Sequence, residues 1–218
     1  MNIKDLLKSK KFKNILITIV EILVVAGIIS SMAAYAIARM TWKLKNAVYG
    51  LFMIGIMIPA QAALLPLFQI LDKLGLKGGY LGLIIPYIAG ALPMSIMILV
   101  GFYRGIPREM EEAAYIDGCN RWQTYWKIVF PLLKPTIATV AIIDAMAFWN
   151  DYLLPSLVLG RKELYTLPIA TQAFYGTYST DLGLVLTALL LAMLPILVLY
   201  LFLQRYIVEG VTSGAVKG

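Results

Sequence analysis

Apolar residues run along this chain in long blocks, and the polar residues collect between them. Five blocks stand out, at 15–38, 46–71, 78–103, 135–159 and 182–204. Each is long enough for a helix crossing the hydrocarbon core of a bilayer, which takes roughly 20 mostly apolar residues. The first block carries one charge, Glu21. The fourth carries Asp144 and Asp151, and the other three carry none. The pattern predicts an all-α membrane protein with five transmembrane helices. The first block is too long for a cleavable signal peptide and lacks a small-residue cleavage site.

Proline marks two of the blocks. Pro59 and Pro66 punctuate the second, Pro86 and Pro93 the third, each pair seven residues apart. That spacing is close to two helical turns, so the members of a pair share a face. Proline frees backbone carbonyls and kinks a helix. In a bilayer the freed groups are tolerated only against protein, water or a cavity. Helices bent around a pathway and ordinary packing kinks both fit this spacing.

The stretch 105–134 breaks the apolar pattern with eight charged residues. It is too polar to cross a membrane and too patterned for a linker. Pro107 suits a helix start. Glu109, Glu111 and Glu112 then fall in the first turns, where the helix dipole favours negative charge. Gly118 is a natural C-terminal stop. The spacing predicts a helix over 108–117 with Met110, Ala113 and Ala114 in an i, i+3, i+4 stripe. Its two alanines allow another surface to approach closely, and the flanking glutamates can meet basic residues there. A second short helix is predicted from Arg121 to Val129, ended by Pro131. Its Trp122, Tyr125 and Trp126 suit the membrane interface.

Composition narrows the chemistry. The 218 residues are 61% hydrophobic and 14% charged, against about 45–50% and about 25% in soluble domains. Histidine is absent and Cys119 is the only cysteine. His-based triads, His-ligated metals, Cys-cluster metal sites and a disulfide framework are therefore excluded, and no cofactor or metal site is indicated. The net charge of +7 reads as Lys and Arg at the cytoplasmic face rather than as a nucleic-acid footprint. With 105–134 and the C-terminus inside, ten Lys and Arg lie inside and nine outside. Five of those nine are lysines within the first 13 residues.

Residues 112–131 read E-A-A-Y-I-D-G-C-N-R-W-Q-T-Y-W-K-I-V-F-P. The spacing E-A-A-x(3)-G-x(9)-I-x-x-P resembles the E-A-A loop of ABC importer permeases, with Phe130 where leucine is frequent. Further matches cover nearly the whole chain. Ala33-Ala34-Tyr35-Ala36 with Arg39, Gln61 between Pro59 and Pro66, and Leu74-Gly75-Leu76 resemble family segments. So do Trp149-Asn150-Asp151 with Pro155, Thr166-Leu167-Pro168, and the tail Gln204-Arg205-Tyr206 through Gly218. Together they resemble the carbohydrate branch, the maltose and multiple-sugar type.

The resemblance implies one ABC transmembrane domain over 1–218, with a cytoplasmic coupling loop at 105–134 and a C-terminal tail at 205–218. In that family the loop inserts into an ATPase subunit. Glu111, Glu112, Ala113, Ala114, Asp117, Gly118, Ile128 and Pro131 are the residues expected to serve that coupling. The implied partners are a second permease, two ATP-binding subunits and an extracytoplasmic sugar-binding protein. The implied location is the bacterial cell membrane. The chain carries no G-x(4)-G-K-[ST] phosphate loop, so ATP hydrolysis falls to the partners and the chain itself is no enzyme. Family members usually have six spans, and the first is the one not matched here. That accounts for the outlying lysines; a truncated gene, a misassigned start codon and a working five-span version all fit, and the expectation to check is a further apolar stretch encoded upstream in frame.

Candidate path residues come from the fourth block. Asp144 is costly in a membrane, and both sugar binding and a bond to a neighbouring helix fit it. Trp149, Asn150 and Asp151 combine an aromatic face with polar groups, which suits a sugar. An interface anchor fits the tryptophan equally well. Tyr175 and Tyr178 are candidates for contact with a delivered sugar or its carrier protein, and the tail is read either as a frayed end or as reaching the ATPase interface. An ATPase-independent secondary transporter or channel is the main alternative, although no internal repeat supports it. A membrane enzyme lacks the residues it needs.

Overall fold

The computed structural model describes residues 10–171 and 182–215, and among these no strand occurs. The described helices are α1 Lys10–Arg39, α2 Lys45–Met57, α3 Ala60–Lys73, α4 Leu81–Gly105, α5 Glu109–Ile116, α6 Arg121–Leu132, α7 Lys134–Asn150, α8 Leu153–Val158, α9 Leu167–Thr171 and α10 Leu182–Ala215. A single turn of 3₁₀ helix, Lys162–Leu164, precedes α9.

Two stretches, Lys13–Arg39 within α1 and Leu81–Gly105, are long and apolar enough to cross a membrane as straight rods, and up to four crossings result if each bent pair counts as one. The predicted second span, 46–71, is interrupted. Helix α2 stops at Met57, and α3 starts after Pro59, whose φ of −60° and ψ of 128° are extended. Proline there has no N–H for the helix ladder and disfavours helical geometry at Ile58. Pro66, by contrast, stays inside α3, and Pro86 and Pro93 lie within the unbroken α4. The predicted fourth span, 135–159, is also divided. Helix α7 ends at Asn150, and α8 restarts at Leu153. A bend of 69° separates α6 from α7. The predicted fifth span forms the first part of α10, and the tail read as 205–218 continues that helix as far as Ala215.

Large apolar side chains point outward along these helices, among them Val20, Leu51 and Leu186. Such a surface is a liability in water and ordinary against lipid. Inside a bilayer, helix association rests on close packing and interhelical hydrogen bonds rather than on expelling water.

The chain packs as two compact units. One takes in α1 up to Val25, Ile58–Gly90 and Asp144–Leu201. Its core joins Leu71, Leu83, Leu154, Val158, Leu159 and Ile169. The Leu74-Gly75-Leu76 turn closes α3 through Gly75 N–H to Asp72 C=O and Leu76 N–H to Leu71 C=O, at 3.0 and 2.9 Å. The chain then runs on so that Gly78 N–H donates to Val158 C=O at 2.9 Å. Gly82 completes this corner. A Cβ there would fall 2.5 Å from the Leu76 carbonyl oxygen and 2.6 Å from Val158 Cγ1.

The other unit is built on α1 from Ala26, α2, α4 from Ala91, α5, α6 and the start of α7. Its core joins Ala34, Ile37, Ile96, Leu99, Val100, Tyr103, Tyr125, Val129 and Leu133. Polar groups are stitched into it. Ser31 and the Tyr125 hydroxyl share a hydrogen bond of 2.7 Å, and the Tyr103 hydroxyl donates to the Ser31 carbonyl at 3.1 Å.

Candidate functional site

The charged stretch forms a two-helix corner. Three glutamates, Glu109, Glu111 and Glu112, occupy the first turn of α5. Its end is a Schellman turn, in which Gly118 N–H donates to Tyr115 C=O at 3.1 Å and Cys119 N–H to Ala114 C=O at 2.9 Å. Gly118 has φ of 82°, a region that β-carbons disfavour. Two residues later Asn120 begins α6 with a capping box. Its side chain accepts from Gln123 N–H at 2.9 Å, and Gln123 accepts from Asn120 N–H at 3.0 Å. The predicted helices are thus present, at 109–116 rather than 108–117 and at 121–132 rather than 121–129. Pro131 does not end the second one. It falls in the first turn of a new α-helical segment, Phe130–Leu132, where its missing N–H costs little.

Between Thr124 and Phe130 the backbone is π-helical, Tyr125–Val129. Trp122, Tyr125, Trp126 and Phe130 form an aromatic cluster along this turn, with Trp126 and Phe130 ring centroids 4.8 Å apart. Ile128 packs against the core from here.

The structure separates the loop glutamates. Glu111 is 7% exposed and turned inward. Its Oε1 pairs with Arg39 Nε at 2.8 Å, and its Oε2 accepts from the Tyr35 hydroxyl at 2.9 Å. Arg39 also donates through Nη2 to the Ile106 carbonyl. A cleft of about 180 Å³ opens beside the pair, lined by Tyr35, Arg39, Arg108, Glu112, Tyr115 and Arg121 among others. Ala114 is buried with Glu111. Glu112, Ala113, Asp117 and Gly118 are exposed, as is Pro131, and Ile116 is 87% exposed. The predicted stripe therefore divides. Met110 and Ala113 face outward, and Ala114 faces the core. Sequence reading missed the Arg39–Glu111 pair, although Arg39 ended one family-like segment and Glu111 directly precedes another. The charge of Arg39 at the end of an apolar helix was the available signal, because a buried charge needs a partner.

The path candidates have structural partners. The Trp149 indole N–H donates to the Ala192 carbonyl at 3.0 Å, and Asn150 donates to the Met146 carbonyl at 2.8 Å. Asp151 Oδ2 accepts from the Tyr87 hydroxyl at 2.8 Å, and Oδ1 accepts from Leu153 N–H at 2.9 Å. Asp144 is buried. Trp149, Phe148, Tyr80 and Tyr87 line a small, mostly apolar cavity together with Thr18 and Thr166. The Tyr87 and Phe148 rings stack at 4.5 Å. Tyr175 and Tyr178 lie outside the described residues, as do Val216, Lys217 and Gly218 of the tail and the N-terminal lysines up to Lys8. Among the described residues no cluster of His, Cys, Asp or Glu could hold a metal ion.

Comparison with known proteins places this geometry. The chain matches the binding-protein-dependent transport system inner membrane component family over residues 24–213. It is 38% identical over 215 residues to the probable starch degradation products transport system permease protein of Thermoanaerobacterium thermosulfurigenes, covering 96% of this chain and 76% of that one. Identity is 39% over 205 residues with the multiple sugar-binding transport system permease protein of Streptococcus mutans, covering 92% and 73%. It is 40% over 192 residues with the melibiose/raffinose/stachyose import permease of Bacillus subtilis, covering 88% and 70%. In fold, it is similar to a bacterial ABC transporter involved in alginate import, with TM-score 0.73 and 22% identity, over 94% of this chain and 78% of that one. It is also similar in fold to the methionine ABC transporter, with TM-score 0.59 and 16% identity, over 93% and 99%. A helical membrane chain with this loop corner and these relatives belongs to the binding-protein-dependent transport system inner membrane components, the permease subunits of ABC importers.

Proposed function

We propose that the chain is the sugar permease subunit of a bacterial ABC importer, forming one transmembrane domain that encloses a path together with a second permease. The sugar-system relatives support the substrate class. Two ATP-binding subunits supply the energy, and an extracytoplasmic binding protein delivers the sugar. The loop at 105–134 and the C-terminus lie on the cytoplasmic side.

One observation carries the coupling role. Helix α5 buries Glu111 and Ala114 and leaves Glu112, Ala113 and Ile116 outward. Small Ala113 admits close approach, Ile116 offers an apolar knob, and Glu112 supplies a charge for a basic group on an ATPase. The turns at Gly118 and Asn120 hold this face at a fixed angle to α6. ATP-driven movement of the ATPases then biases the permease between inward-open and outward-open states, to the extent that their affinity differs between the two.

For the path, Trp149, with Tyr87 and Phe148 beside it, offers the aromatic surface that a sugar's C–H face requires. Asp144 contributes buried polarity to the same helix. Asp151 orients Tyr87 by accepting from its hydroxyl, and Asn150 lies next to Trp149 in the chain. The testing experiment is reconstitution with the partner permease, ATPases and binding protein in vesicles. Uptake of labelled maltotriose or raffinose that requires ATP inside and binding protein outside supports the assignment. Flux through this chain alone without ATP overturns it.

A further inference from the structure

We infer that Arg39 is a positioning residue that locks the rotation of helix α5 to helix α1, so that the docking face and the membrane helix move as one body. This rests on the coupling role just proposed and assigns it a specific mechanical link.

The geometry is that of a three-point clamp. Arg39 ends α1 and reaches two places in the loop, the Ile106 carbonyl before α5 and Glu111 in its first turn. Tyr35, one turn earlier on α1, takes the other carboxylate oxygen of Glu111. Both oxygens of Glu111 are therefore held by one helix, and the ion-paired side chains are only 7% and 10% exposed. Four residues further back along α1, Ser31 is bonded to Tyr125 of α6. Successive turns of α1 thus hold both helices of the loop corner.

An ion pair of this kind is weak evidence of stability, because desolvation offsets much of the attraction. Its distinguishing property is direction. Apolar packing tolerates rotation of a short helix about its axis, whereas the hydrogen bonds from Tyr35 to Glu111 and from Arg39 to the Ile106 carbonyl fix donor and acceptor positions, and the Arg39–Glu111 contact adds charge attraction. Adjacent residues on a helix are about 100° apart. Holding Glu111 inward therefore dictates where Glu112 and Ile116 point, and slippage at the clamp would let the docking face turn while α1 stays still.

The test uses the assembled transporter with spin labels on Cys119 and on an Ile28→Cys substitution in α1. The triple variant Y35F/R39M/E111M removes every charged and hydroxyl member at once, so none is left buried and alone. It is compared with wild type at matched ATPase occupancy, so that the readout reports the clamp and not assembly. Its distance distribution is expected to broaden about twofold or more, since a pinned element has become a sliding one. ATP with vanadate is expected to move the wild-type helices together and the variant's apart. The conservative R39K keeps the charge but has a single ammonium in place of the guanidinium fork, and an intermediate width is expected. A distribution as narrow as wild type in both variants overturns the inference. If the triple variant fails to assemble, R39K decides alone. Failure of the unmodified chain to retain ATPases is a separate result, and it removes the importer reading itself.

Discussion

Tyr87 and Asp151, 64 positions apart in sequence, meet in a hydrogen bond of 2.8 Å. The same carboxylate accepts from Leu153 N–H, so it joins α4 to the start of α8. Truncation by Asp151→Ala orphans the tyrosine hydroxyl and one helix N–H. A loss of about 1–3 kcal/mol is expected. Asp151→Asn retains an acceptor for Leu153 and is expected to lose less than half of that. Thermal unfolding in mild detergent measures both, and equal effects would contradict the two-bond account.

Gly82 has no room for a methyl group. The clashing atoms include the backbone carbonyl of Leu76, 2.5 Å from a built Cβ, and backbone cannot rotate aside. Gly82→Ala is expected to cost about 1–3 kcal/mol through overpacking. Gly79→Ala, with nothing within 4 Å of its Cβ, is expected to be near neutral. Detergent melting of the pair checks the contrast.

Gly118 is constrained by conformation instead, since its Cβ position is open and its φ is 82°. Substitution by alanine is expected to cost about 1–2 kcal/mol from the left-handed region. Substitution by asparagine, which tolerates that region better, is expected to cost less. Because the turn sets the angle between α5 and α6, retention of ATPase subunits should fall in the same order. Quantitative gel analysis of purified complexes checks this ranking.

The apolar blocks made the helices legible, because a backbone in lipid must satisfy its own hydrogen bonds. The loop corner was legible for a local reason: Pro107 and Gly118 act on neighbours a few residues away. What could not be read depends on distant partners. Pro59 interrupts a helix whereas Pro66, Pro86 and Pro93 do not, and that outcome turns on how the surroundings meet the freed carbonyls. Glu111 and Glu112 were both expected to serve coupling, yet a single residue's rotation separates a buried anchor from an outward charge. Arg39, which decides between them, lies 72 positions upstream. Trp149 reads as an aromatic beside polar groups, and its bond to Ala192 is invisible without the packing.

The proposed seat for an ATPase is the outward face of α5, and Ile116 is its most exposed apolar residue. Ile116→Ser should leave the permease's own stability within about 0.5 kcal/mol, as for most surface changes. The direct measurement is the amount of ATP-binding subunit retained on affinity-purified permease, for Ile116→Ser against the unmodified chain. A drop of about tenfold, equivalent to about 1.4 kcal/mol of binding, is the predicted result. Equal retention, with both proteins folded and paired with their partner permease, would contradict the claim that this face docks the motor.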